Sequence, residues 1–293
     1  MTTGAAALPG PRNWTSMTPG RRPPSVSAVV RGTVLVTAAL VMVAPIAWAV
    51  LSSMKSRNEL AERTPSLLPD QLSLSNYTEA LHRFDFVRYF TNSVIVTVAA
   101  TVLTLTINSM AAFALAKYNF RGRNALFLLT LATIMIPLQV ILLPVYRVVS
   151  DLGMTNSLLG LIIPPAATPT GVFLLRQYML SLPDELLEAA RIDGAGELRI
   201  FLRIVLPLCR PALAVVAIFS VIWRWNDFLW PRIVAQKESV HTLPVALARM
   251  NSELVVPFNL VLAMSVMSIL PVIILFLLMQ RQIISGIAQT GLK

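Results

Sequence analysis

The stretch Glu188-Ala189-Ala190-Arg191-Ile192-Asp193-Gly194, followed after nine residues by Ile204-Val205-Leu206-Pro207, is polar and lies between two long apolar runs. Its residues predict two short helices that meet at a glycine. Ser181 is placed to cap a first helix whose opening turn holds Pro183, Asp184 and Glu185. Proline tolerates that position, and the two acids suit the positive end of the helix. Leu186, Leu187 and Ala190 then form an apolar face. Gly194 falls where that helix must end, because glycine readily takes the left-handed conformation that closes a helix and redirects the chain. A second helix is expected from Gly196 or Glu197, with Leu198, Phe201, Leu202 and Val205 along one face at helical spacing. Pro207 is expected to stop it. The product is a stiff knuckle between two spans.

Outward from this knuckle the chain is apolar. Hydrophobic residues make up 56% of the 293 residues and charged ones 13%, with a mean hydropathy of +0.70, which is the composition of a membrane protein. Uncharged runs cover 32–54, 89–116, 124–146, 152–175 and 254–280. Each holds the roughly 20 apolar residues needed to cross a hydrocarbon core of about 30 Å. A sixth span is expected from Pro211 to Trp223, a run of only 13 residues between Arg210 and Arg224. This reading has both arginines snorkel to the headgroups and has Trp223, Trp225 and Trp230 form an interfacial aromatic belt. The expected fold is an all-α membrane protein with six transmembrane helices.

Six spans place both termini on one face. The face with the tail to Arg31, the 117–123 loop, segment 176–210 and the C-terminus holds 14 Lys and Arg against 10 opposite, and it carries +9 of the net +10. Lys117, Arg121 and Arg123 crowd one short loop, whereas Arg147 is alone in the next. Both termini and the knuckle are therefore read as cytoplasmic. Charges scattered over loops at both faces speak for membrane orientation and against nucleic acid as a partner. Residues 1–28, rich in Pro, Gly, Ser and Thr, read as a disordered cytoplasmic tail, which leaves 29–293 as the membrane domain. A cleavable leader ending near Ala47-Trp48-Ala49 is the rival reading of the first run. The run continues to Met54, longer than a leader needs.

The residues of enzyme chemistry are missing from the pattern. The lone Cys209 and the distant His82 and His241 offer no metal-ligand spacing, and the spans hold no acid or histidine on which a membrane enzyme could build a site. There is no Gly-x4-Gly-Lys-Ser/Thr, His-Glu-x2-His or Gly-x-Ser-x-Gly. No catalytic, cofactor or metal site is expected, and the chain should not hydrolyse ATP itself.

Glu188-Ala189-Ala190, Asp193-Gly194-Ala195, Phe201 and Ile204 with Leu206-Pro207, occurring together between two spans, resemble the EAA loop of bacterial ABC-importer permeases. The resemblance extends over roughly 29–293. Ser66-Leu67-Leu68-Pro69, Asn76-Tyr77, Asn92-Ser93 and Trp225-Asn226-Asp227-Phe228-Leu229-Trp230-Pro231 are similar to the maltose-transporter-type permeases, which import carbohydrates. The chain departs from them in ending Gly291-Leu292-Lys293 and in having Asp227 where some members have Glu.

The resemblance implies a type I ABC-importer permease fold in a bacterial inner membrane. A second homologous permease would complete the pore as a heterodimer. Two ATPase subunits would bind ATP and Mg below it, a substrate-binding lipoprotein would deliver cargo outside, and membrane lipid would surround the spans. Glu188, Ala189, Ala190, Asp193, Gly194, Ala195, Phe201, Ile204, Leu206 and Pro207 would form the coupling helix loop that docks on an ATPase, and the C-terminal tail would reach the same pair. Closure of the ATPases would then bias the spans between inward-facing and outward-facing states. The implied cargo is a sugar or oligosaccharide. A glycerophosphate-type solute is the second reading, favoured by extra basic pore residues, of which the sequence shows none. An ATP-independent channel is the third.

Asn108 in the second run and Gln139 beside Pro137 in the third must find partners inside the bundle, since an unpaired amide in hydrocarbon is costly. Both are candidate pore-lining residues, with interhelical hydrogen bonding as the competing role. Thr168 and Thr170 are candidates because Pro164, Pro165 and Pro169 interrupt the fourth run around them. Broken backbone at membrane depth is tolerated only where it is buried in protein or lines a cavity, although a simple kink would serve as well. Asp227, among the tryptophans, reads as a loop residue in solvent or touching a partner.

Overall fold

The computed structural model describes residues 26–62, 64, 66–252 and 256–290. The chain divides into two compact units, Met1–Ala47 and Trp48–Lys293. Helix α1 (Val26–Ser53) fills the described part of the first unit and continues into the second. Val26 to Ala28, the end of the expected tail, form its first turn, and residues 1–25 lie outside the described residues. Val34, Leu35, Val41 and Met42 are all exposed. A helix apolar on every side has no polar face to turn to water and suits lipid.

The second unit is built around α2 (Phe86–Lys117), 32 residues long. Ala100, Thr104, Asn108 and Ala112, at intervals of four, are all fully buried. Small side chains along one stripe let neighbouring helices approach closely. Helices α3 (Arg123–Ile134) and α4 (Leu138–Asp151) follow, bent by 105° at Met135 to Pro137. Next come α5 (Pro169–Leu180), α6 (Glu185–Ile192), α7 (Arg210–Trp225) and α8 (Phe258–Thr290). The most extensive packing is of α5 and α7 on α2, with α8 against α7. No strand occurs among the described residues.

Three helical segments among these residues are long and apolar enough to cross a membrane: Val30–Ser53, Phe86–Lys117 and Phe258–Leu277. Two bent pairs, α3 with α4 and Glu197–Leu208 with α7, raise the number to five if each pair is one span. The fourth expected span, 152–175, is not one helix. It is divided into Leu158–Ile162 and α5, because Pro164 and Pro165 lack the amide donors a helix needs and Pro169 restarts the chain at a first-turn position.

The start of α2 is tied to surrounding loops by buried neutral groups. Asn92 donates to the carbonyls of Ser239 and His241, both at 3.0 Å, and Ser93 Oγ accepts from the Leu243 amide at 2.8 Å. Nearby, the Asn76 amide donates to the carbonyls of Ser53 and Lys55, each at 2.8 Å, and accepts from Asn259 at 2.7 Å. The Tyr77 hydroxyl meets Ser53 Oγ at 2.5 Å. Asn76-Tyr77 thus hold Ser53, Lys55 and Asn259 together, and Asn92-Ser93 hold Ser239, His241 and Leu243 to α2. Trp225 and Trp230 belong to this packing and not to an exposed belt: both are buried, and their indole N–H groups donate to the carbonyls of Ser268 and Gly160 at 3.1 and 3.0 Å. Asp227 is half-buried, and its carboxylate accepts from the Trp230 amide.

Candidate functional site

At the other end of α2 the knuckle takes the expected form with a different start. Ser181 closes α5 instead of opening α6, its hydroxyl donating to the Tyr178 carbonyl at 2.7 Å, and Asp184 occupies the cap of α6. The two turns after Leu180 leave Ser181 three residues short of the new helix. Gly194 has φ of +78°. Its amide donates to the Arg191 carbonyl at 3.0 Å and the Ala195 amide to that of Ala190 at 2.9 Å, the paired closure in which a left-handed residue satisfies a helix's last carbonyls. The second helix starts at Glu197, but its expected face divides. Ile200, Phe201 and Val205 are buried while Leu198 and Leu202 are exposed, because a turn of π-helix at Phe201–Val205 shifts the register.

That turn also explains why Pro207 does not stop the helix. The Leu206 amide bonds back five residues to Phe201, and helical geometry carries on through Leu208 before breaking at Cys209. A wider turn upstream relieves the clash between a proline ring and the preceding turn's carbonyl.

The knuckle is pinned to the bundle by its buried side and by two residues at the end of α2. Leu187, Ala190, Ile200, Phe201 and Val205 pack with Phe113, Leu175 and Met179, each large apolar side chain contributing roughly 1.5–3 kcal/mol. Lys117 donates to the Leu182 carbonyl at 2.7 Å and pairs with Asp184 at 2.5 Å. Tyr118 donates to Glu197, which also pairs with Arg191 at 2.8 Å. The Arg191 hydrogen bond, then that of Tyr118, holds the Glu197 carboxyl below the usual carboxylate range, while burial and Glu197 push the Tyr118 phenol up to about 12. On the outer side Glu188, Ala189, Asp193 and Gly194 are exposed and Ile192 is 87% exposed, while Ala195, Ile204 and Leu206 are half-buried against the core and Pro207 is half-buried.

Where the fourth run breaks, a cleft of about 440 Å³ opens between α5 and α7, bordered by Thr168, Thr170, Ser220, Trp223 and Arg224 among others. Asn108 does not reach it with free groups: fully buried, it donates to Thr168 Oγ1 at 2.6 Å and accepts from the Thr168 amide at 3.1 Å, locking the broken segment to α2. A Cβ on Gly171 would lie 2.2 Å from the Asn108 amide nitrogen, so this close approach requires glycine. Gln139 is exposed on α4 and does not border the cleft.

Arg224 is the residue that reading the sequence missed. It does not snorkel. Only 6% exposed, its guanidinium turns inward and donates to Ser220 Oγ at 3.0 Å, to Thr104 Oγ1 at 2.6 Å and to the Pro165 carbonyl at 2.6 Å. The available signals were a hydroxyl four residues before it on the same helix face and a pair of prolines upstream that leave carbonyls without helical donors.

Helices α5 and α7 packed on the long α2, with α8 against α7 and a knuckle at the end of α2 whose outer side is exposed, fit the membrane subunit of a transporter. The chain belongs to the family of binding-protein-dependent transport system inner membrane components, which it matches over residues 105–287. It is 38% identical over 258 residues to the arabinooligosaccharides transport system permease protein AraQ of Halalkalibacterium halodurans, covering 87% of this chain and 92% of that one. It is 32% identical over 274 residues to the sn-glycerol-3-phosphate transport system permease protein UgpE of Agrobacterium fabrum, covering 90% and 97%. The fold is similar to a chain of a bacterial ABC transporter involved in the import of the acidic polysaccharide alginate, with a TM-score of 0.80, 28% identity, and coverage of 87% and 96%. Like these relatives it is a transport subunit and not an enzyme.

Proposed function

We propose that this chain forms one half of the pore of an ATP-driven importer for a sugar or oligosaccharide delivered by an external binding protein. The knuckle carries this reading. Its buried side is fixed to the bundle, while Ile192, Leu198 and Leu202 stand exposed around Gly194, an apolar surface of the kind that a partner's cleft covers. Glu188 to Pro207 would dock there on one of two ATPase subunits that bind ATP and Mg. A second homologous permease would complete the pore. In this arrangement Leu158–Ile162 with α5 makes a sixth, broken span, both termini are cytoplasmic, and the C-terminal tail, whose residues 291–293 lie outside the described residues, reaches the ATPases. Thr168 and Thr170 would face the transport path, and Asn108 would hold Thr168 in place. Carbohydrate cargo draws on the arabinooligosaccharide relatives, and the glycerol-phosphate relatives keep a phosphorylated solute as a second reading.

The test is to tag the chain in its native host, solubilise it gently and identify what co-purifies in near-stoichiometric amount. Recovery with an ATPase, a second permease and a binding protein is expected. Recovery alone, even after crosslinking at Gly194→Cys, would overturn the importer.

A further inference from the structure

The cleft between α5 and α7 is bordered by a cation that forms no ion pair among the described residues. All three acceptors of the Arg224 guanidinium are neutral, its Nε has no hydrogen-bond partner among the described residues, and none of the four ion pairs formed there includes it. Asp227, three residues on, attracts the guanidinium electrostatically without making an ion pair, and its carboxylate accepts from the Trp230 amide. A cation held in a low-dielectric bundle without a contacting counter-charge costs several kcal/mol. Such residues inside spans mark the paths of ions and substrates. A neutral side chain could bridge hydroxyls and a carbonyl, so the clamp alone does not account for the charge.

We propose that this cleft binds an anionic carbohydrate, a sugar acid or a sugar phosphate, with Arg224 as the counter-charge and Trp223 as the surface for the sugar ring. The inference rests on the importer reading and names the cargo class of that same pore. The cleft's volume of about 440 Å³ falls within the roughly 300–1,000 Å³ of small-molecule sites, whose walls are mostly apolar with a few placed polar groups. Here those groups are Thr168, Thr170 and Ser220 beside the guanidinium. Trp223 is 45% exposed, and its ring centroid lies 5.6 Å from the guanidinium carbon. An apolar ring face beside hydroxyls and one cation matches a solute with an apolar C–H face, many hydroxyls and one negative group. A lipid headgroup would meet the charge but would leave the exposed Thr170 and the ring face without a role.

The experiment titrates the complex in which the full chain is recovered, held in phosphatidylcholine nanodiscs without the binding protein, with two matched pairs. Digalacturonate is compared with its neutral dimethyl ester, and glucose 6-phosphate with glucose. At least one acid should bind about tenfold or more tightly than its neutral counterpart, the order expected for hydrogen bonds to a charged group. Added salt should weaken that preference, and the pair that shows it distinguishes carboxylate from phosphate. Arg224→Gln should abolish it and Arg224→Lys should keep part of it. Because Arg224→Gln removes a clamp and can fail to fold, Thr170→Trp at the exposed rim provides a second variant, which should block acid binding by filling the cleft. Equal affinity for charged and neutral members, absence of binding by either acid, or a preference that survives Arg224→Gln or Thr170→Trp would overturn the proposal. So would a preference lost when the nanodiscs contain phosphatidylglycerol, which would assign the cleft to a lipid headgroup. A complete complex with its ATPases but indifferent to charge would leave the importer standing and remove only this inference.

Discussion

The two ends of α2 are secured by opposite kinds of chemistry. At its start, the buried Asn92 and Ser93, with Asn76 on the helix that precedes it, meet backbone groups of distant segments. At its end, Lys117 and Tyr118 reach charged partners, Asp184 and Glu197, on a knuckle whose outer face is exposed. Buried neutral bonds are costly to leave unmade and resist opening. Exposed ion pairs such as Arg191–Glu197 contribute little, and the hold at this end comes from the knuckle's buried apolar side and from the buried Lys117 side chain. The first end is therefore built to stay as it is, and the second to hold a shape while remaining open to a partner.

The largest effect expected is at the open end. Gly194→Pro cannot reach φ of +78°, so substrate uptake should fall to background while the amount of chain in the membrane stays near normal, as read by transport and immunoblot together. Normal uptake would mean that the knuckle's shape is not what transmits motion. The next effect belongs to the closed end. Asn76→Ala strips partners from the Ser53 and Lys55 carbonyls and from the Asn259 amide. It should lower stability by about 3 kcal/mol, seen as a reduced unfolding midpoint of the purified complex; a change under about 1 kcal/mol would erase the contrast between the ends.

The smallest effect is at the Glu197 ion pair. Its carboxyl is held below the usual range in the folded chain, so the stabilisation is present above the ordinary carboxylate pKa and is lost as pH falls through the depressed one. Glu197→Gln should cost under about 1 kcal/mol at neutral pH. The gap between the two proteins should begin to shrink as pH falls below the ordinary carboxylate pKa and close once the depressed one is passed. A gap that persisted there would show that shape and not charge makes this contact.

The knuckle was legible because its signals are local: only a left-handed residue can join these two helices, and Gly194 stands where one is needed. The long spans were legible because an unbroken apolar run such as 89–116 has few alternatives. The division of the apolar face at Phe201–Val205 was not, since a π turn leaves no mark in side-chain spacing. Arg224 was misplaced for a different reason. An arginine closing a 13-residue apolar run resembles an interfacial anchor, and only the arrival of Thr104 and the Pro165 carbonyl from distant parts of the chain turns it inward. Trp225 and Trp230 depend likewise on carbonyls at Ser268 and Gly160, which no local pattern announces.

The wide turn at Phe201–Val205 sets a limit on how such a chain can vary. It stores one residue more than an ordinary turn would, so deleting one residue there would restore the ordinary turn and leave the chain beyond nearly in register, whereas a deletion at the start of α7 would rotate everything after it by about 100°. Arg224 would then swing away from Thr104 and the broken segment, although no residue near it had changed. Along α7 this lineage is thus expected to accept substitutions but neither gains nor losses, whereas Phe201–Val205 can lose one residue, a pattern that aligned descendants would display or refute.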